Sequence, residues 1–168
     1  MRKSSAILGS LIFLLIAPGT LAGLVPWWID GYRLEPGTPG VWAIRGVGCL
    51  LIAAGLLFLL DSFAQFALKG RGTPAPIAPP RHLVVSGYYR YVRNPMYVAV
   101  LALILGQALL FGDVTLYAYA IIVWAGFYAF VLGYEEPTLR RMFGEEYLSY
   151  CTNVPRWVPR MRPWEPQE

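Results

Sequence analysis

The chain has 168 residues, 57% of them hydrophobic and only 14% charged, well below the roughly 25% charged residues of soluble domains, so lipid is the expected solvent and one compact unit over 1–168 the expected organisation. The net charge of +4 raises nucleic acid as a partner, but the placement of the charges assigns them elsewhere. Cys49 and Cys151 stand far apart and His82 is the only histidine, so neither a disulfide framework nor a metal centre is expected.

Four apolar stretches follow in chain order. Ser4 to Ile29 carries no charge and is longer than the roughly 20 residues that span a bilayer. It has a second reading as a secretory signal peptide, from Arg2 and Lys3, the apolar run Ala6 to Ala17 and the small residues Gly19 to Gly23. The apolar character continues through Trp27, Trp28 and Ile29, and Thr20-Leu21-Ala22 is a poor cleavage triplet, which favours a retained helix. Gly46 to Leu68 is interrupted only by Asp61, either a polar group facing the bundle interior or, the reading favoured, a carboxylate snorkelling to the interface; Asn94 to Gly112 and Val114 to Tyr134 are uncharged and separated by Asp113. Unpaired backbone groups are costly in hydrocarbon, so all four should be helical, at about 5–28, 42–68, 95–112 and 114–134, the last two forming a tight hairpin.

Charge orients this bundle. Arg2 and Lys3 precede the first helix; Lys69, Arg71, Arg81, Arg90 and Arg93 lie between the second and third; Arg140, Arg141, Arg156, Arg160 and Arg162 follow the fourth. Only Arg33 and Arg45 fall on the other side. The positive-inside rule therefore puts both termini and the 69–94 connection in the cytoplasm, and anionic lipid headgroups account for the basic balance without nucleic acid. Trp27, Trp28, Tyr32 and Trp42 on one side, and Tyr88, Tyr89 and Tyr91 on the other, suit interfacial belts.

The cytoplasmic connection opens on Gly70, Gly72, Pro74, Pro76, Pro79 and Pro80, so Ala75 to Pro80 should run extended. Asn94-Pro95 then reads as a helix start, with Asn94 capping and Pro95 in the first turn, where free amides could receive an anion. Beyond the fourth helix, Glu135 and Glu136 sit at the membrane boundary, with Arg90 and Arg93 as expected partners. Leu139, Met142, Phe143, Tyr147 and Tyr150 recur at helical spacing, which makes the cytoplasmic segment 135–168 carry an amphipathic helix. Composition alone leaves two readings open: lipid anchors and solvated helix ends, or the walls of a polar ligand site.

The motifs add to this. Gly87-Tyr88-Tyr89-Arg90-Tyr91-Val92-Arg93-Asn94-Pro95-Met96-Tyr97, then Glu135-Glu136 with Leu139, Phe143-Gly144-Glu145-Glu146-Tyr147, Tyr150 and Val154-Pro155-Arg156, resemble in order and spacing the isoprenylcysteine carboxyl methyltransferase and phospholipid methyltransferase superfamily. The resemblance covers about Pro79 to Arg160. It implies an all-α membrane-embedded methyltransferase that takes S-adenosyl-L-methionine at the cytoplasmic ends of the last two helices and a lipophilic acceptor from the bilayer. Carried over by position, Gly87, Tyr88, Arg93, Asn94, Pro95 and Tyr97 form one wall of the cofactor site and Glu135 and Glu136 the other, with Arg93, Asn94 and Glu136 as the catalytic set. Many members have histidine where this chain has Asn94; asparagine cannot act as a cation or base, which makes a prenylcysteine acceptor less expected. The competing functional readings are an NADPH-dependent membrane reductase of sterol-reductase type, against which the short chain counts, and a non-catalytic protein that keeps the scaffold.

Overall fold

The computed structural model describes residues 3–68 and 83–165, and the described residues are helical with no strand. The extended run expected at Ala75 to Pro80 lies outside them. Helix α1 (Lys3–Gly19) passes through a wide turn, Thr20–Leu24, into α2 (Val25–Asp30), which stops at Gly31 in the left-handed conformation. Helix α3 (Pro39–Leu68) crosses back, α4 (Pro95–Phe111) returns, and α5 (Val114–Phe130) runs through a second wide turn, Val131–Glu135, into α6 (Glu136–Asn153). By length and composition three helical stretches, Leu11–Asp30, Pro39–Gln65 and the one starting at Val114, can cross a membrane, while Pro95–Phe111 is a shorter apolar helix. At 1.5 Å per residue its 17 residues reach about 25 Å, the low end of a spanning length.

Both wide turns end just before a proline, Pro26 or Pro137. Proline has no amide to donate, so the carbonyls one turn back lose their partner. Around the first turn the bundle supplies replacements: Gln107 Nε2 donates to Ala22 O at 2.8 Å and Tyr119 Oη to Leu21 O at 2.9 Å. In lipid an orphaned carbonyl has no water to turn to, so these two side chains are what makes the turn tolerable.

Small residues set the tightest crossing. A Cβ on Gly48 would lie 2.7 Å from Gly106 O, and one on Gly106 would lie 2.8 Å from Gly48 O, so α3 and α4 touch backbone to backbone. Leu59 and Phe63 of α3, Ala99, Val100, Leu103 and Ile104 of α4, and Ala120 and Val123 of α5 form the buried core. Leu15, Leu50 and Ile122 stay exposed, as expected of helices that are apolar all round and face hydrocarbon. The expected α4–α5 hairpin closes over Gly112 and Asp113, whose Oδ1 accepts from Thr115 N at 2.6 Å and caps α5.

The amphipathic α6 seats Leu139, Phe143, Tyr147 and Tyr150 against Leu83 and Val154. Met142, expected on the same face, is exposed, and Gly144 breaks the helical path at φ +51°. Leu139 and Phe143, four residues apart, set the inward face before the bend, and Met142, about 100° behind Phe143, falls off its edge.

Candidate functional site

The loop before α4 is shaped first by Gly87. Its φ of +57° is left-handed, and a Cβ there would lie 2.6 Å from both Asp61 Oδ2 and Gln65 Nε2 of α3. Only glycine brings this loop so close. The following 3₁₀ turn, Gly87–Arg90, is pinned there: Tyr88 N donates to Asp61 Oδ2 at 3.3 Å, Ser86 Oγ to Gln65 Oε1 at 3.3 Å, and the Tyr88 ring stacks on Phe58 at 3.7 Å. Asp61 is therefore a structural acceptor inside the bundle rather than a snorkelling carboxylate. Gln65 Nε2 holds its other oxygen at 3.0 Å.

Across from this loop, the second wide turn delivers Glu135 and Glu136. Tyr97, one turn into α4, donates to Glu135 Oε2 at 2.8 Å and packs its ring against Phe127 of α5 at 4.6 Å. Glu136 is buried and accepts from two guanidinium groups: Arg93 Nη1 at 3.1 Å, and Arg156 through Nε at 2.6 Å and Nη2 at 2.9 Å. Hydrogen bonding to Glu136 raises the Arg156 pKa above its ordinary value, so this residue stays a cation at any physiological pH. Arg93 Nη1 also donates to Cys151 Sγ at 2.7 Å, while its Nε is buried without a partner. Nearby, burial and then the Glu135 charge push the Tyr89 hydroxyl well above the phenol range, keeping it neutral.

The C-terminal segment after α6 closes over both walls. Arg93 N donates to Pro155 O at 2.9 Å, Arg160 N to Tyr91 O at 3.0 Å and Trp164 N to Arg90 O at 2.9 Å. Asn94 Nδ2 donates to Arg156 O at 3.1 Å, and Tyr150 Oη to Tyr89 O at 2.7 Å. Residues 154–164 thus act as a strap that satisfies the irregular backbone between Arg90 and Asn94.

Two further sequence expectations change. Asn94 lies at the cap position of α4 but its side chain caps nothing; it is buried and reaches the strap instead. Arg90 does not meet the glutamates. It donates to Trp164 O and pairs with Glu165 at 2.6 Å, leaving Arg93 as the partner of Glu136. The fold brings Arg93, Tyr97, Glu135 and Glu136 into one polar cluster, with Asn94 and Pro95 buried beside it and Gly87 and Tyr88 at the α3 contact. Arg156 is absent from the expected site residues, although Val154-Pro155-Arg156 stands among the motifs. The strap that carries it has no periodicity from which its course could be read.

Comparison with known proteins supplies the remaining evidence. The phospholipid methyltransferase family model matches residues 44–146, which include the Gly87–Tyr97 loop and the two glutamates. Protein-S-isoprenylcysteine O-methyltransferase B of Arabidopsis thaliana is 37% identical over 129 residues, covering 74% of this chain and 64% of that protein. The A form from the same plant is 33% identical over 131 residues, covering 75% of this chain and 64% of its own length. The human protein-S-isoprenylcysteine O-methyltransferase is 38% identical over 78 residues, 46% of this chain and 27% of that one. The chain thus spans less than two thirds of the length of these relatives. A match over most of the chain, on a helical membrane bundle whose two motif segments converge, makes this multi-pass protein a member of the isoprenylcysteine and phospholipid methyltransferase superfamily.

Proposed function

We propose that the protein is an S-adenosyl-L-methionine-dependent methyltransferase of the cell membrane, acting at the cytoplasmic face on a lipid or small hydrophobic acceptor. The observation that carries this reading is the convergence of Arg93, Tyr97, Glu135 and Glu136 at one end of the α3–α4–α5 bundle, where apolar helices meet a polar loop. The residues suit the cofactor. The buried, unpartnered Arg93 Nε, and Trp157 Nε1 on the strap next to Arg156, are donors of the kind a carboxylate or ribose oxygen takes. Glu135, already accepting from Tyr97, is the carboxylate for hydroxyl or ammonium groups. Glu136 serves differently, because Arg93 and Arg156 occupy both of its oxygens; it orients Arg93 rather than contacting ligand.

The cofactor, when bound, supplies an electrophilic methyl group on a sulfonium. Methyl transfer to a nucleophilic oxygen, sulfur or nitrogen is an in-line displacement, in which alignment and exclusion of water supply most of the acceleration. That suits a site whose Asn94 cannot serve as a base. In this reading Arg93 holds the cofactor in register, Tyr97 and Glu135 orient it, and the strap keeps water from the loop between them. The name of the relatives, isoprenylcysteine O-methyltransferase, supports an acceptor with a lipophilic tail. The basic residues gathered at the ends of the chain and in the 69–94 connection support the cytoplasmic orientation.

Binding of S-adenosylhomocysteine to the detergent-solubilised protein tests the proposal. Saturable binding that is weakened in Glu135→Gln and Arg93→Ala, together with label transfer from S-adenosylmethionine to a membrane fraction, is the expected result. Binding of NADPH in its place would move the protein to the reductase class. A thiol probe at Ser86→Cys should react from the cytoplasmic side only.

A further inference from the structure

At the opposite end of the bundle from the candidate site, Arg45 of α3 is buried, with 5% of its surface exposed. Its side chain reaches back over the segment that enters the helix. Nη2 donates to Glu35 O at 2.7 Å, and Nη1 lies 3.3 Å from where a Cβ on Gly37 would stand. The Trp42 ring sits under the guanidinium, 4.8 Å from centroid to Cζ. Nε and Nη1 are buried with no partner, and no carboxylate among the described residues makes an ion pair with Arg45. A buried arginine at the end of a membrane helix is costly unless an anion compensates it.

The same place offers further donors. In α3 (Pro39–Leu68) the first-turn amides of Gly40 and Val41 have no acceptor inside the helix, and the helix dipole is positive there. The unpartnered Arg45 N–H groups and the free amides of the first turn lie at the same end of α3 and make a cationic set of donors of the kind an oxyanion takes. Exposed Val41, Trp42 and Ile44 flank it along α3, so it lies at the depth where apolar surface gives way to headgroups.

We propose that Arg45 and the first turn of α3 bind a phosphate group at the face of the membrane remote from the candidate site, the phosphodiester of a lipid headgroup being the form available at that depth. Lipid binding would neutralise the buried charge and hold the exposed Glu35–Thr38 segment over α3. Arg33, exposed on the same loop, lacks this burial and serves as the control.

The experiment is thermal unfolding of the purified full chain in a neutral detergent, titrated with monomeric short-chain phosphatidylglycerol, inorganic phosphate or uncharged monoolein. Phosphatidylglycerol should raise the midpoint and monoolein should not. Arg45→Gln should weaken the response about tenfold in concentration, the loss of one charge-assisted hydrogen bond, while Arg33→Gln leaves it unchanged. If inorganic phosphate reproduces the Arg45-dependent rise, the site stands and takes the free anion. Should Arg45→Gln fail to fold, Arg45→Lys decides, since it keeps the charge but loses the fork and should respond at several-fold higher concentration. A response that is absent in the wild type, equal in the Arg45 variants or equally reduced by Arg33→Gln overturns the proposal.

Discussion

Arg156 grips Glu136 with two parallel hydrogen bonds, of 2.6 and 2.9 Å, from a segment twenty residues further along the chain. The pair joins the strap to the start of α6, and because Arg93 shares the same carboxylate, it also fixes where Arg93 points.

The first prediction follows from that sharing. Arg156→Lys keeps the charge but loses the fork, and should cost about 1–2 kcal/mol of stability, the lower part of the worth of a hydrogen bond to a charged group because the Arg156 side chain is partly exposed. Glu136→Gln leaves two guanidinium groups without their anion and should cost more, about 3 kcal/mol. Thermal unfolding of both single variants and the double variant checks this: the double variant should be less destabilised than the sum of the two.

Tyr97→Phe separates fold from ligand. The ring still packs on Phe127, and only the hydroxyl bonded to Glu135 is lost. The unfolding midpoint should change little, while affinity for S-adenosylhomocysteine falls about tenfold, the equivalent of one well-made hydrogen bond. Isothermal titration of the two proteins in detergent reads this directly, and equal affinities would remove Tyr97 from the site.

Gly87→Ala should act through the loop. Alanine at φ +57° is strained, and its methyl group would collide with Asp61 and Gln65, so the Gly87–Arg90 turn must lift from α3. Backbone strain of this kind costs about 1–3 kcal/mol. Helical circular dichroism should be retained while hydrogen exchange speeds up at Tyr88 to Tyr91.

At the first wide turn, Gln107→Leu removes the donor to the Ala22 carbonyl. A loss of about 0.6–2 kcal/mol is expected, the range seen for polar contacts inside membranes. Pro26→Ala should restore part of it, because alanine brings back a backbone amide for the orphaned carbonyls. If the two changes simply add in unfolding experiments, the repair role assigned to Gln107 is wrong.

Much of the architecture was legible because lipid leaves little choice. Uncharged runs of spanning length must be helices, and Gly112-Asp113 can only be a hairpin tip. The motif segments were legible as well, and Arg93, Tyr97, Glu135 and Glu136 do meet. What the sequence did not disclose depends on where irregular backbone goes. Asn94 and Pro95 have the local chemistry of a helix start, yet the Asn94 amide is taken by Arg156 O, a partner 62 positions away. Arg90 and Arg93 sit three residues apart with equal claims on the glutamates, and only the path of the strap sends one to Trp164 and the other to Glu136. Asp61 resembled an interfacial charge until the loop at Gly87 descended onto it.

The wide turn at Val131–Glu135 also sets an angular phase. Each residue of an α-helix advances its side chain by about 100°, and a turn that closes over five residues retards whatever follows it. If the same residues wound as ordinary α-helix, the result would be a continuous, equally apolar helix that still spans the bilayer. It would also rotate α6 by roughly a quarter of a revolution, carrying Glu135 and Glu136 off the bearing on which Tyr97 and Arg93 find them. The turn works as an indexing step between a membrane anchor, which is indifferent to rotation, and a polar cluster, which is not.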